Sequence, residues 1–286
     1  MQQQLTRAAL IIEQIGLQCI PEEVIRIREE LEKTHPNTVT IANLIAHNSE
    51  LLGDFLKLVN SNVTAEKSNI TDAKAAVNLL GLNDISDLFL ASTLSHKIAQ
   101  SPQEKEILKH GAQAGLAAAE LSFWVYDVSR TEAYMAGLMQ NIGAIYLLRS
   151  KPKEYASLFQ IHLANPENAI KQEERLFLTN HTFLGALLAK KWNLSSEIYK
   201  SILLHHDLNF IQNFSQDQKV RHMVSLIMVA NFVVESAQGE HYITQEMKQY
   251  REVGGAILSL PENAITAARA AVMKWGNSMG IAPGGH

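Results

Sequence analysis

Four histidines stand where imidazole nitrogens could meet around one centre. His110 lies inside an apolar-periodic segment, His181 opens a second, and the adjacent pair His205-His206 closes a third. Neutral imidazole is a common ligand for Zn, Mn and Fe, so a cluster drawn from several helices would point to metal chemistry. Spacing argues partly against it. Positions i and i+1 of a regular helix do not share a face, so His205 and His206 are not expected to grip one ion, and a histidine near a helix C-terminus complements the dipole without any ligand. His35, His47, His96, His162, His222 and His241 are isolated in the sequence and receive no role. No other chemistry competes. The sequence has no Gly-x-Ser-x-Gly, no Walker or dinucleotide fingerprint, and no feature that would activate the single cysteine, Cys19.

The elements that must position these histidines read as helices throughout. Apolar residues recur at three and four positions, and no run of strict alternation is bounded by hairpin dipeptides. Pro21 with Glu22 and Glu23 marks a helix start, Leu51, Phe55 and Val59 fall on one stripe, and Thr71 is expected to cap a helix that ends at Gly81. Further segments are expected at residues 84–99, 103–125, 131–149, 152–164, 168–178, 181–192, 196–206, 217–238, 244–259 and 262–277. Trp124, Trp192 and Trp275 lie within them as core or inter-helix residues. The polar stretch from Gln100 to Glu106, with its Ser-Pro signal, is the expected joint between an N-terminal helical lobe over 1–100 and a second lobe over 101–286. The fold class is therefore all-α, a multi-helical bundle. The tail from Gly280 is expected to fray.

Composition narrows the function classes. At 286 residues and 47% hydrophobic, the chain can bury a substantial core, and its net charge of -4 with scattered basic residues offers no footprint for nucleic acid. One cysteine fits a reducing compartment. The apolar run from Met223 to Val234 is shorter than the ~20 residues of a spanning helix, so a cytoplasmic protein with no membrane partner is expected.

The surroundings of the histidines resemble a known family. Ala136 to Gly143, read Ala-Gly-Leu-Met-Gln-Asn-Ile-Gly, resembles the Ala-Gly-Leu-Leu-His-Asp-Ile-Gly segment of the HD superfamily of metal-dependent phosphohydrolases. Asn180 to Leu194 followed by His205-His206-Asp207 is similar to the HDOD branch, the HD-related output domains of bacterial signalling. Leu51 to Ser61 and Ile70 to Gly81 resemble that branch's N-terminal part, so the likeness spans about residues 14–210. In active HD enzymes a histidine, a His-Asp doublet and a later aspartate hold the first metal, and further histidines assist a second. The matched positions here are His110, Gln140-Asn141 and Asn231, with His181, His205 and His206 as the further histidines.

The resemblance thus implies a site without its charged anchors. An amide oxygen is a neutral, weak ligand, whereas a carboxylate carries the charge that offsets a dication. The expected protein is not an enzyme and has no cofactor: it is a regulatory module of bacterial signal transduction that meets a regulatory or signalling protein, or a small-molecule or nucleotide ligand. Its ligand-binding candidates are His110, Gln140, Asn141, His181, His205, His206 and Asn231, the vestige of a metal pocket. The alternative is a residual metal-dependent phosphohydrolase or phosphodiesterase acting on a nucleotide.

Overall fold

The computed structural model describes residues 1–47, 49–62, 70–210, 217–238 and 242–275, and among them every regular element is a helix. His241 and the tail from Gly280 lie outside the described residues. The chain divides into two compact units. Residues 18–100 form the smaller, and residues 1–17 together with 101–275 form the larger. The opening helix therefore belongs with the second unit rather than with the N-terminal lobe in which the sequence reading placed it.

The smaller unit holds α2 (Glu22–Leu31), α3 (Thr38–Ala46), α4 (Ser49–Asn62), α5 (Ala73–Leu80) and α6 (Leu82–Ile98). Leu51, Phe55 and Val59 of α4 are fully buried, as their stripe requires, and Phe55 meets Phe89 of α6 edge to face at 5.6 Å. Asn60 holds the backbone of Ile70 from both sides, donating to its carbonyl and accepting from its N–H at 2.8 Å each. Asp72, not Thr71, caps α5: its carboxylate accepts from the N–H of Ala75 at 2.8 Å. Gly81, at φ 78°, ends that helix in a conformation that a side chain would strain.

The larger unit holds α1 (Gln2–Ile15), α7 (Pro102–Leu121), α8 (Arg130–Met139), α9 (Ile142–Ser150), α10 (Pro152–Ala164), α11 (Pro166–Phe177), α12 (His181–Lys191), α13 (Ser196–Leu204), α14 (Gln218–Ala237), α15 (Gln245–Leu258) and α16 (Glu262–Trp275). Its helix starts are chemically defined. Ser101 with Glu104 and Ser129 with Glu132 form full capping boxes, and Asn180, Asp217 and Thr244 cap α12, α14 and α15 with their side-chain oxygens. The buried Glu104 also takes Arg149 of α9 in two charge-assisted bonds of 2.8 and 3.1 Å, tying α7 to α9.

Small residues set the helix spacing. A Cβ at Gly137 of α8 would stand 2.6 Å from the backbone of Gly115 on α7, so the two helices meet backbone to backbone. The same holds for α9 and α12, where a Cβ at Gly143 would overlap the carbonyl oxygen of His181 and lie 2.6 Å from the backbone N of Gly185. Packed on these layers, α14 buries an unbroken run from Met223 to Val234. By length and composition α14 could cross a membrane, but 72% of its most apolar stretch is buried inside the fold, the pattern of a core helix.

The expected single helix over 131–149 is two. It breaks at Gln140-Asn141, where Asn141 (φ -101°, ψ 12°) caps α9 with no side-chain bond to the helix. Its side chain is turned elsewhere, toward the site.

Candidate functional site

The break between α8 and α9 delivers Gln140 and Asn141 into the interior of the larger unit, both essentially without solvent contact. Gln140 and Asn231 of α14 form a reciprocal pair: each amide nitrogen donates to the other's oxygen, at 2.8 and 2.7 Å. The Asn141 amide donates to Nδ1 of His110 at 3.2 Å, which places the His110 proton on Nε2. Burial pushes the His110 imidazole down to about 4, so the ring is neutral near pH 7. Asn141 Oδ1 is buried without a partner.

Beside this amide layer lies a cluster of four imidazoles. His181 opens α12 because Asn180 supplies the cap, accepting from the N–H groups of Thr182 and Phe183. Its backbone N–H and its Nδ1 both bond to Glu173 Oε2, at 2.8 and 2.9 Å, while Tyr155 donates its hydroxyl to Oε1 at 2.6 Å. Glu173 is thus a fully enclosed carboxylate held by three donors at the positive end of α12. Burial raises its pKa, and burial pushes the His181 imidazole down to about 3.

His205 and His206 do converge, contrary to the expectation from helical geometry. The helix α13 stops at Leu204, so His205 is its C-cap and His206 lies in the turn beyond, with ring centroids 3.9 Å apart. The i, i+1 rule applies only inside a helix. His205 Nδ1 donates to the carbonyl of Ile202 at 2.7 Å. His206 Nδ1 meets the hydroxyl of Tyr250 at 3.0 Å, and that hydroxyl in turn donates to the His206 carbonyl at 3.4 Å. Burial holds both imidazoles well below the usual histidine range.

The fourth imidazole is His162, which is isolated in the sequence and has no expected role there. It packs edge to face on His181 and His206, with centroids at 4.6 and 4.8 Å, and stacks on Phe159. His162 and Glu173 carry a signal that could have found them. Tyr155, Leu158, Phe159 and His162 share the buried face of α10, and Ala169, Glu173 and Phe177 that of α11, so each is a polar residue on an apolar stripe. A cleft of about 590 Å³ lies alongside, lined by His110, Phe159, Glu106, Lys109, Gln160 and Val234 among others.

The HDOD domain profile matches residues 17–208, two thirds of the chain. The chain belongs to the HDOD domain family. An HDOD domain protein of unknown function from Geobacter sulfurreducens superimposes with a TM-score of 0.67 at 22% identity, covering 95% of this chain and 97% of that one. A proposed phosphohydrolase from Shewanella amazonensis SB2B gives a TM-score of 0.71 at 17% identity over 96% and 97% of the two chains. A proposed signal transduction protein from Marinobacter aquaeolei VT8 gives 0.61 at 15% identity over 94% and 61%. At these identities the likeness is one of fold. An uncharacterized protein of Treponema pallidum (strain Nichols) is 25% identical over 224 residues, 77% of this chain, and the HDOD chain spans only 42% of that relative's length.

The residues of this HDOD site do not fit the first metal of an HD enzyme. At the positions that would carry the doublet and the later aspartate, the Gln140 and Asn231 amides use their donors and acceptors on one another, and Asn141 is committed to His110. No carboxylate is among them to offset a dication.

Proposed function

We propose that this HDOD protein is a non-catalytic regulatory module of bacterial signal transduction. It acts through a regulatory or signalling protein, or through a small molecule or nucleotide held in the cleft beside His110. The observation that carries this reading is the closed Gln140–Asn231 amide pair, which replaces anionic oxygens with a neutral, mutually satisfied unit. Hydrolysis by HD-type chemistry needs a metal to lower the pKa of a water, and such a metal needs anionic ligands at these positions. The uniformly neutral imidazoles around the pair equally suit binding over proton transfer, because a ring that resists protonation down to about 4, as His110 does, is a poor acid or base near pH 7.

The second reading, a metal-dependent phosphohydrolase acting on a nucleotide, is favoured by one observation: His162, His181 and His206 bring ligand atoms within 4.8 Å of one another. The test is turnover of a generic phosphodiester and of cyclic dinucleotides by the purified full chain with added Mn or Zn. No turnover above buffer is expected. Metal-dependent turnover that His181→Ala abolishes would replace the regulatory reading with the hydrolase.

A further inference from the structure

Four helices of the larger unit, α7, α10, α14 and α16, leave an open cleft of about 590 Å³ against His110. That volume suits a small molecule, since ligand pockets run from about 300 to 1,000 Å³. Its walls are of two kinds. Glu106, Lys109, His110 and Gln113 form one stripe of α7, at the i, i+3, i+4 and i+7 spacing of a single helix face. The apolar walls are Phe159 and Leu163 of α10, Val234 and Ala237 of α14, and Val272 and Met273 of α16.

Three groups in this cleft stand without a partner. His110 is 8% exposed, and because its Nδ1 accepts from Asn141 its proton sits on Nε2, where no acceptor meets it among the described residues. Lys109 is exposed and joins no ion pair among the described residues, whereas Glu106 accepts from Gln160 at 3.4 Å. Met273 is 61% exposed, a large apolar side chain of the adaptable kind that moulds itself around a ligand. A buried donor, a free cation and an uncovered apolar surface are the recognition groups for one class of molecule.

We infer that the cleft takes an aliphatic monocarboxylate, its carboxylate held by the His110 Nε2–H and the Lys109 ammonium, its chain laid along Leu163, Val234, Val272 and Met273. The inference rests on the reading that a small molecule occupies this cleft, and it names that molecule's chemistry. Charge decides against a nucleotide. Among the lining residues Lys109 is the one lysine or arginine and Glu106 the one carboxylate, so a single negative charge is matched and the multiple charges of a nucleotide's phosphates are not. The walls agree. Five of the six apolar lining residues are not aromatic, and Phe159 already has His162 stacked on it at 5.7 Å, which leaves little aromatic face for a base. Nor does the site repeat the metal chemistry of the HD enzymes. Its carboxylate is held by hydrogen-bond donors, and Val234, Ala237, Val272 and Met273 come from beyond the residues 17–208 that the HDOD profile matches.

The test is isothermal titration of the full chain with octanoate, with octanamide as its uncharged counterpart and GMP as a nucleotide. One octanoate per chain is expected. Octanamide should bind about tenfold more weakly, since it offers only neutral hydrogen bonds. Shortening the acid to hexanoate should weaken binding by up to about fourfold for each methylene removed from the apolar wall. Lys109→Met, at an exposed position, should weaken octanoate about two- to fivefold and leave octanamide unchanged. Ala237→Trp, which fills the cleft from the half-buried end of α14, should abolish binding. Absence of octanoate binding overturns the inference. So does octanamide bound as tightly as octanoate, GMP bound more tightly than octanoate, or octanoate held equally well by Ala237→Trp. Should Ala237→Trp lose its helical circular dichroism, the octanoate-to-octanamide ratio decides, and a ratio that Lys109→Met leaves unchanged overturns the site. Each of these failures leaves the regulatory reading standing, because a nucleotide or a protein partner can still serve it. Phosphodiester turnover overturns that reading alone, and octanoate binding blocked by Ala237→Trp would still uphold this inference.

Discussion

Acidification should unfold the larger unit through its buried histidines. His110, His162, His181, His205 and His206 all have imidazoles depressed by burial, to about 4 for His110 and about 3 for His181. In the unfolded chain they titrate near the ordinary value of about 6.5. Below that pH the unfolded state binds more protons than the folded one, so stability is full above it and falls progressively as pH drops toward the folded values. Between pH 7 and pH 5 each such histidine removes about 1.8 kcal/mol, so His110 and His181 alone remove about 3.6 kcal/mol. The other three act in the same direction. Glu173, whose pKa burial raises, opposes them, because a carboxyl that protonates more readily in the folded state gains stability as pH falls. One carboxyl against five imidazoles leaves a net loss comparable with much of the roughly 5–15 kcal/mol that holds a domain together. The assay is urea unfolding at pH 7, 6 and 5 with a chelator present, followed by tryptophan fluorescence. Trp124, Trp192 and Trp275 all belong to the larger unit, so the signal reports that unit. An unfolding free energy that changes by less than about 1 kcal/mol over this range would show that these rings are already hydrated or charged in the folded protein, and the argument from burial would fail.

Two substitutions probe the supports of the site. Gly143→Ala places a methyl group into the carbonyl of His181 and the backbone of Gly185, so α9 and α12 must separate. The expected cost is about 3 kcal/mol, a thermal midpoint lower by about 6–12 °C in a unit of this size, and a drop under 2 °C would mean that the helices have slack there. Replacing Gln140 alone by Leu strands both polar ends of the Asn231 amide and should cost about 1–3 kcal/mol by urea titration. Gln140→Leu combined with Asn231→Leu should recover part of that loss, and strictly additive penalties would show that the two amides are not coupled.

Local chemistry made much of the fold legible in the sequence. Helix periodicity is a property of neighbouring residues, so the all-α class, the buried stripe of Leu51, Phe55 and Val59, the Gly81 stop and the core character of α14 could be read without coordinates. The identity of Gln140, Asn141 and Asn231 was equally plain, because the missing carboxylates are a fact of composition at matched positions. The two departures from expectation have different causes. Asp72, one residue on from Thr71, is an equally good local cap and takes the N–H of Ala75, whereas at the break in the expected 131–149 helix the Gln140 and Asn141 side chains bond across to Asn231 and His110, a tertiary contact.

What only the tertiary structure decided is which side chains meet. His162 and Glu173 look like ordinary polar residues of two amphipathic helices, and nothing near them in sequence says that one packs edge to face on His181 while the other grips its Nδ1. His205 and His206 share a pocket because α13 ends one residue before them, a boundary of single-residue precision that periodicity does not resolve. Gly143 and Gly185 let two helix backbones approach until His181 stands beside the amide layer. Residue types and helical faces follow from short-range sterics and burial, which sequence encodes locally. The convergence of four imidazoles from three helical segments depends on packing distances between residues up to 44 positions apart, from His162 to His206, and only the folded chain sets those distances.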